Sequence, residues 1–291
     1  MRLAAAIAVV MLSAGSALAF GTINGAGQNA EHEKITRRAL GCRGGETTPC
    51  FGPHSLDQLA GARGRFGAVG YPDSGALILK PRAHCDNGDL PGGLEACRTW
   101  MRSHLDQAVK DAAPLLDERG NVRPSQARIT PGCVWKLNVK GRAKCDVLQN
   151  FGVVLHASQD FYSHSNWTDD VRETAPRGLG ADGPAPAISL RAFPAFPKGL
   201  VSGCFSVRGC RGRVTHAALN KDTGRIGETL GPGTTPRGRR HRNFERAVGA
   251  AVADTSDKWD LLRERLVAAY GRANGLKMAC ALTRDDPAKD C

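Results

Sequence analysis

The chain has 291 residues, 41% of them hydrophobic, and 40 Lys and Arg against 28 Asp and Glu give a formal charge of +12. A chain of this length can bury a large core and fits one domain, two at most. The basic excess draws anionic partners such as phosphate diesters, nucleic acid or lipid headgroups, or serves colloidal solubility alone; no apolar run reaches the ~20 residues of a comfortable membrane span, so no membrane segment is expected in the mature chain.

In chain order, Arg2 is followed by an apolar run from Leu3 to Leu12, then by Ser13, Gly15 and Ser16, and finally by Ala17-Leu18-Ala19. A basic start, a short apolar stretch and an Ala-x-Ala ending are the parts of a secretory signal peptide. Residues 1–19 therefore read as a leader, with an uncleaved anchor as the alternative. Residues 20–291 read as the mature helical domain, secreted or periplasmic, beginning at Phe20. The ten cysteines form five close pairs along the chain: Cys42 and Cys50, Cys85 and Cys97, Cys133 and Cys145, Cys204 and Cys210, Cys280 and Cys291. Sequential disulfides suit an exported protein. A thiolate zinc site is the rival reading, and it lacks any Cys-x-x-Cys.

Four stretches read as helices. Residues 29–40 carry acids early and arginines late, as the helix dipole favours. Residues 93–116 line up Leu94, Cys97, Met101, Leu105, Ala108, Ala112 and Leu115 at helical spacing. Residues 142–165 do the same with Val147, Leu148, Phe151, Val154 and Leu155, and residues 241–272 with Phe244, Val248, Val252, Trp259, Leu262, Leu266 and Ala269. Between them lie Gly- and Pro-rich stretches at 41–92, 117–141, 174–203 and 223–240, without sustained alternation. The expected architecture is mostly α, with long disulfide-stapled loops and no substantial sheet.

The segment HASQDFYSHSNW, residues 156–167, carries the strongest chemical signal. His156, Asp160 and His164 are spaced i, i+4, i+8, so at about 100° per residue they share one helix face. Imidazole and carboxylate are ligands that zinc takes in sites keeping a position open to water. The alternative is a surface His–Asp pair worth about 0.2–0.5 kcal/mol, but the apolar lead-in Gly152-Val153-Val154-Leu155 places the triplet at the edge of the core.

The segment GVVLHASQDFYSHSNW resembles the heterokaryon-incompatibility C (Het-C) proteins, a branch of the zinc-dependent phospholipase C and single-strand nuclease superfamily. THAALNKD at 215–222 is similar to their His-Gly-Gly-x-Asn-Lys-Asp stretch, and HRNFERAVGAAVADT at 241–255 to the helix after it. EHEKITRRAL resembles the superfamily's first histidine helix. The likeness implies a multi-helix bundle of the zinc phospholipase C type, in one domain, holding two to three zinc ions. It implies as ligands the backbone amine and carbonyl of Phe20, freed by cleavage after Ala19, together with His32, Asp73, His84, His156, Asp160 and His164. Asp160 would bridge two metals, and His164 would begin a third site completed by His241 and Glu245, or served instead by His216 and Asp222. Asp73 doubles as the residue orienting or deprotonating the attacking water. Each has a plain competitor: His32 as a partly exposed helix residue, Pro-Asp-Ser-Gly around Asp73 as a turn, and His241 and Glu245 as solvated members of an Arg-rich stretch. Cys85 could clamp His84.

The activity so implied is hydrolysis of an anionic phosphodiester by metal-activated water. Phospholipid is favoured over nucleic acid, and Arg237, Arg239, Arg240 and Arg242 would draw the substrate in. A Het-C-like secreted interaction or toxin-associated protein without turnover is the alternative. A single-strand nuclease is weaker, because such enzymes stack bases on aromatic side chains and aromatics are only 5% of this chain. The oligomeric state is not legible.

Overall fold

Residues 20–25, 27–42, 50–136, 139–180, 188–191, 195–206 and 208–291 are described by a computed structural model. The leader at 1–19 and part of the 174–203 stretch lie outside them. A two-residue hairpin, β1 (Asn24–Gly25) and β2 (Gln28–Asn29), leads into α1 (Glu31–Leu40). Glu31 and Glu33 occupy the first turn of α1 and Arg37 and Arg38 its last, matching the dipole. After α2 (Pro53–Ala60) and a second small hairpin, β3 (Gly61–Ala62) and β4 (Arg65–Phe66), the chain makes 3-10 turns at Ala68–Asp73, Gly75–Leu77 and Pro81–Ala83. Then come α3 (Gly93–Asp111), α4 (Pro124–Ala127), α5 (Ala143–His164), α6 (His216–Leu219), the hairpin β5 (Gly224–Ile226) and β6 (Leu230–Gly233), α7 (Pro236–Arg239), α8 (Asn243–Tyr270), α9 (Arg272–Thr283) and α10 (Pro287–Asp290). Of the described residues 53% are helical against 9% in strands, so the fold is mostly α with small sheets only.

α5 is the axis of the molecule. From Phe151 to His164 every residue is buried, which is the behaviour of a helix surrounded by protein on all sides. It packs against α3, α8 and the 3-10 turn Ala68–Asp73, within a hydrophobic cluster that runs from Phe20 to Leu282. Gly152 makes the turn's approach possible: a Cβ there would lie 2.4 Å from the Ala68 carbonyl carbon. That close contact sets Val69 and Asp73 against the next turn of α5.

Boundaries depart from expectation for local reasons. The 93–116 pattern is helical only to Asp111, and a 3-10 turn at Ala113–Leu115 follows, with Pro114 lacking the amide that the ladder needs. The 241–272 helix starts two residues late, because His241 and Arg242 lie at φ 47° and 62° in the left-handed region. It breaks at Gly271, φ 79°, before α9. α2 falls in a stretch assigned to loop; its Pro53 sits at the first helical position, where no amide is needed.

The cysteines pair sequentially: Cys42–Cys50, Cys85–Cys97, Cys133–Cys145, Cys204–Cys210 and Cys280–Cys291. Among the described residues no helix is long and apolar enough to cross a membrane.

Candidate metal centre

Five side chains from three parts of the chain meet beside the middle of α5. His32 comes from α1, Asp73 and His84 from the 3-10 turns, and His156 and Asp160 from α5. Asp160 is the hub. Its Oδ1 lies 3.1 Å from His32 Nε2, and its Oδ2 lies 2.9 Å from His156 Nε2 and 3.1 Å from His84 Nδ1. Asp73 Oδ1 stands 3.6 Å from His156 Nε2 and 3.8 Å from His84 Nδ1, while its Oδ2 accepts a hydrogen bond from the Thr22 hydroxyl. His32, His156 and Asp160 are fully buried. Asp73 is at the rim.

The ring tautomers follow from what caps the far nitrogens. His156 Nδ1 is 2.9 Å from the Val69 carbonyl and His84 Nε2 is 3.3 Å from the Leu77 carbonyl. A carbonyl only accepts, so these nitrogens carry the hydrogens. The remaining lone pairs, on His156 Nε2 and His84 Nδ1, then face each other at 3.0 Å. Such an arrangement requires a cation, either a proton shared between them or a metal ion held by both. In the metal-free chain it is a proton. Burial pushes His84 down, but the Asp160 hydrogen bond and charge, with Asp73 and Asp86 behind, lift it to about 9. Burial dominates at His156 and lowers it. Asp160 pays a burial penalty that raises its pKa, yet the charges of His156 and His32 hold it well below the usual carboxylate range.

A second cluster sits one helical turn further along α5, about 6 Å along its axis. His164 and His216 have ring centres 3.9 Å apart with their planes tilted by 57°, flanked by Asp86 and Asp222. Asp86 Oδ1 lies 3.1 Å from His216 Nδ1 and 3.4 Å from His164 Nδ1; Asp222 Oδ1 lies 3.0 Å from His164 Nε2 and Asp222 Oδ2 lies 3.7 Å from His216 Nε2. Burial disfavours both imidazolium ions, but Asp222 and Asp86 hold His164 well above its usual value and raise His216 as well. Against its own burial, Asp222 is drawn down to about 2, first by the His164 charge. Each ring here has a carboxylate facing both nitrogens, where each ring of the first cluster has an oxygen acceptor behind it.

Backbone geometry delivers these groups. His84 and Asp86 straddle Cys85, whose disulfide ties the segment to α3, so one staple places a ligand group in each cluster. The 202–204 strap closes over the end of α5: Gly203 N–H donates to His164 carbonyl at 3.0 Å, and a Cβ on Gly203 would lie 2.4 Å from His216 Cα. Lys221, fully buried, donates to the Ser165 carbonyl at 2.7 Å and pairs with Asp169 at 2.9 Å, which holds the adjacent Asp222 over His164.

The donor sets suit a divalent cation. Three groups have ligand atoms close enough together to hold one: His32, His156 and Asp160; Asp73, His84 and His156; and Asp86, His164 and His216. Four tetrahedral bonds of 2.0–2.1 Å to zinc put ligand atoms about 3.3 Å apart, the range spanned by the contacts above. Five of the cluster atoms, His32 Nε2, Asp160 Oδ1, His164 Nδ1, His216 Nε2 and Asp222 Oδ2, are buried without a hydrogen-bond partner. Each faces an opposite charge at 3.1–3.7 Å without the alignment of a hydrogen bond, and coordination to a shared cation would give it a directed partner.

The structure thus brings together His32, Asp73, His84, His156 and Asp160, and separately His164, His216 and Asp222. It does not bring His241 and Glu245 to either cluster. His241 is exposed, and the left-handed backbone at His241 and Arg242 removes the helical i, i+4 relation with Glu245. The two line a surface cavity of about 300 Å³ with Leu230, Arg242 and Arg246, and Glu245 faces Arg242 at 3.5 Å. Arg237 is likewise no surface attractor: it is buried, 2.8 Å from Asp169 and 3.1 Å from Glu173. Asp86 went unread in the sequence, though the Cys85 staple that anchors His84 anchors it equally. Phe20 is fully buried with its ring edge-on to His32 at 6.0 Å; Ala19, on the other side of the expected cleavage point, lies outside the described residues. Asn166, in an Asn-x-Thr acceptor pattern, is buried and bonded through its amide to the Arg177 and Gly199 carbonyls.

Comparison with family models, with curated proteins and with solved structures finds no match for this chain.

Proposed function

We propose that the chain is an exported zinc-dependent phosphodiesterase of the phospholipase C type, related to the Het-C-like branch of that superfamily. In this reading two zinc ions sit in the cluster around Asp160, and a third sits between His164, His216 and Asp86, with Asp222 behind the rings. The observation that carries it is the facing of His156 Nε2 and His84 Nδ1 at 3.0 Å inside a ring of carboxylates, because both rings have their other nitrogen committed to a carbonyl. Five disulfides support export into an oxidising compartment.

Zinc held there would supply a Lewis acid for the phosphoryl oxygens and a water of lowered pKa. The chain's own residues do the rest. Asp73, at the rim, has one carboxylate oxygen fixed by Thr22 and turns the other toward the two histidines; that oxygen orients the attacking water and takes its proton. Exposed Arg239, Arg240 and Arg242 supply the attraction for an anionic substrate. The test is hydrolysis of a chromogenic phosphocholine diester by the oxidised, zinc-loaded protein, with and without chelator. Chelator-sensitive turnover supports the reading.

One observation favours a second reading. His32, His156 and Asp160 have no exposed surface, as suits ions that brace the fold of a non-catalytic Het-C-like interaction protein. Stoichiometric zinc without turnover on the diester or on denatured DNA would select it, and turnover on denatured DNA alone would select a nuclease.

A further inference from the structure

The residue before the Asp160 hub has an uncommon set of partners for a glutamine in the middle of a buried helix. Gln159 is fully buried. Its Oε1 lies 2.7 Å from His32 Nδ1, and its Nε2 lies 3.0 Å from Thr36 Oγ1 and 3.0 Å from Thr255 Oγ1. The amide thus ties α5 to α1 through Thr36 and His32, and to α8 through Thr255.

The chemistry of this fork fixes the ring. With both amide hydrogens directed at the two hydroxyl oxygens, the amide oxygen is left to accept, and His32 Nδ1 must carry a hydrogen to give it one. The lone pair then resides on Nε2, which faces Asp160 Oδ1 at 3.1 Å. The opposite sense, with the amide donating to Nδ1, would put the hydrogen on Nε2. There it would face Asp160 Oδ1 at 3.1 Å but out of line for a hydrogen bond, whereas the Nδ1 hydrogen meets the Gln159 oxygen at 2.7 Å. Val69 and Leu77 perform the equivalent duty for His156 and His84 with backbone carbonyls. Only His32 depends on a side chain for it.

We propose that Gln159 is a positioning residue that locks the His32 ring in the Nδ1–H tautomer and aims Nε2 at a divalent cation, its amide nitrogen held between the Thr36 and Thr255 hydroxyls. This rests on the metal-binding reading above. An acceptor behind a ligating imidazole orients the ring and raises its basicity, and losing it costs about 10–100-fold in metal affinity.

The test combines zinc titration against a chromogenic chelator with nitrogen-15 spectra of the histidine rings, His32 being assigned by its loss in His32→Gln. Gln159→Met, which keeps the volume and removes the acceptor, is expected to weaken binding about 10–100-fold and to speed exchange of the His32 Nδ1 proton. Gln159→Glu restores an acceptor at the same place and is expected to bind within a few-fold of the parent. If Gln159→Met does not fold, Thr255→Val carries the test, with a smaller loss and the same faster exchange. Unchanged affinity in folded Gln159→Met, or equal losses in the Met and Glu variants, would overturn the proposal. So would a parent spectrum with the hydrogen on Nε2. If the parent binds no zinc, the metal reading fails by itself, and the ring spectra still decide the tautomer.

Discussion

Replacing Asp160 with Asn separates the electrostatics of the first cluster from its shape. The amide keeps the volume but carries no charge, and its nitrogen cannot ligate or accept. Asp160 faces three imidazoles at 2.9–3.1 Å, and it heads the favourable contributions to His84. At about 1.4 kcal/mol per pH unit, raising His84 from 6.5 to about 9 contributes roughly 3 kcal/mol to the metal-free protein. Because the folded value lies above the unfolded one, this contribution is complete below pH 6.5 and is lost as pH rises through 9. Urea unfolding with disulfides intact and chelator present should therefore find Asp160→Asn less stable by about 3 kcal/mol at pH 6, with the gap nearly closed by pH 9.5. With zinc present the parent should gain further stability, as any ligand of the native state confers, and the variant should gain much less. A gap that is the same at both pH values, or a variant more stable than the parent at pH 6, would refute the electrostatic account of the cluster.

Other outcomes follow from the same geometry. Lys144, fully buried, donates to Ser55 and the Arg284 carbonyl, and burial lowers it to about 7 despite the pull of Asp285. Its folded value is below its unfolded one, so the parent should gain stability relative to Lys144→Met by up to about 1.4 kcal/mol per pH unit from pH 7 to 9, measured by urea unfolding. Removing the Cys85–Cys97 staple with two alanines should lower zinc affinity at both clusters, since His84 and Asp86 flank Cys85. Removing Cys280–Cys291, a loop of similar length, should lower stability alone, by about 2–4 kcal/mol. His241→Ala with Glu245→Ala should leave zinc content unchanged; a loss of one ion would restore them as ligands.

How far the sequence foretold this arrangement depended on whether the information was local. The spacing of His156, Asp160 and His164 is a property of one helix and was legible, as was the sequential pairing of the cysteines. Helical spacing alone put His164 on one face with His156; their separation into different sites came from the family resemblance, and the structure shows its physical basis, since one turn of α5 carries His164 past the segment that supplies Asp73 and His84. Asp86 was missed because an acid beside a cysteine in a Gly- and Pro-rich stretch has no periodicity to mark it. His241 and Glu245 misled because their spacing is helical, whereas two left-handed residues delay the helix. Gln159 lies inside the strongest motif, yet its role depends on Thr36 and Thr255, which come from α1 and α8.

Zinc content tests the central claim most directly. The oxidised chain, stripped by chelator, reconstituted with excess zinc and freed of loose ions by gel filtration, should carry two to three zinc ions per chain by elemental analysis. His156→Ala should retain at most the ion of the second cluster. A well-folded parent that holds less than one ion, or a His156→Ala variant that holds as many as the parent, would contradict the account.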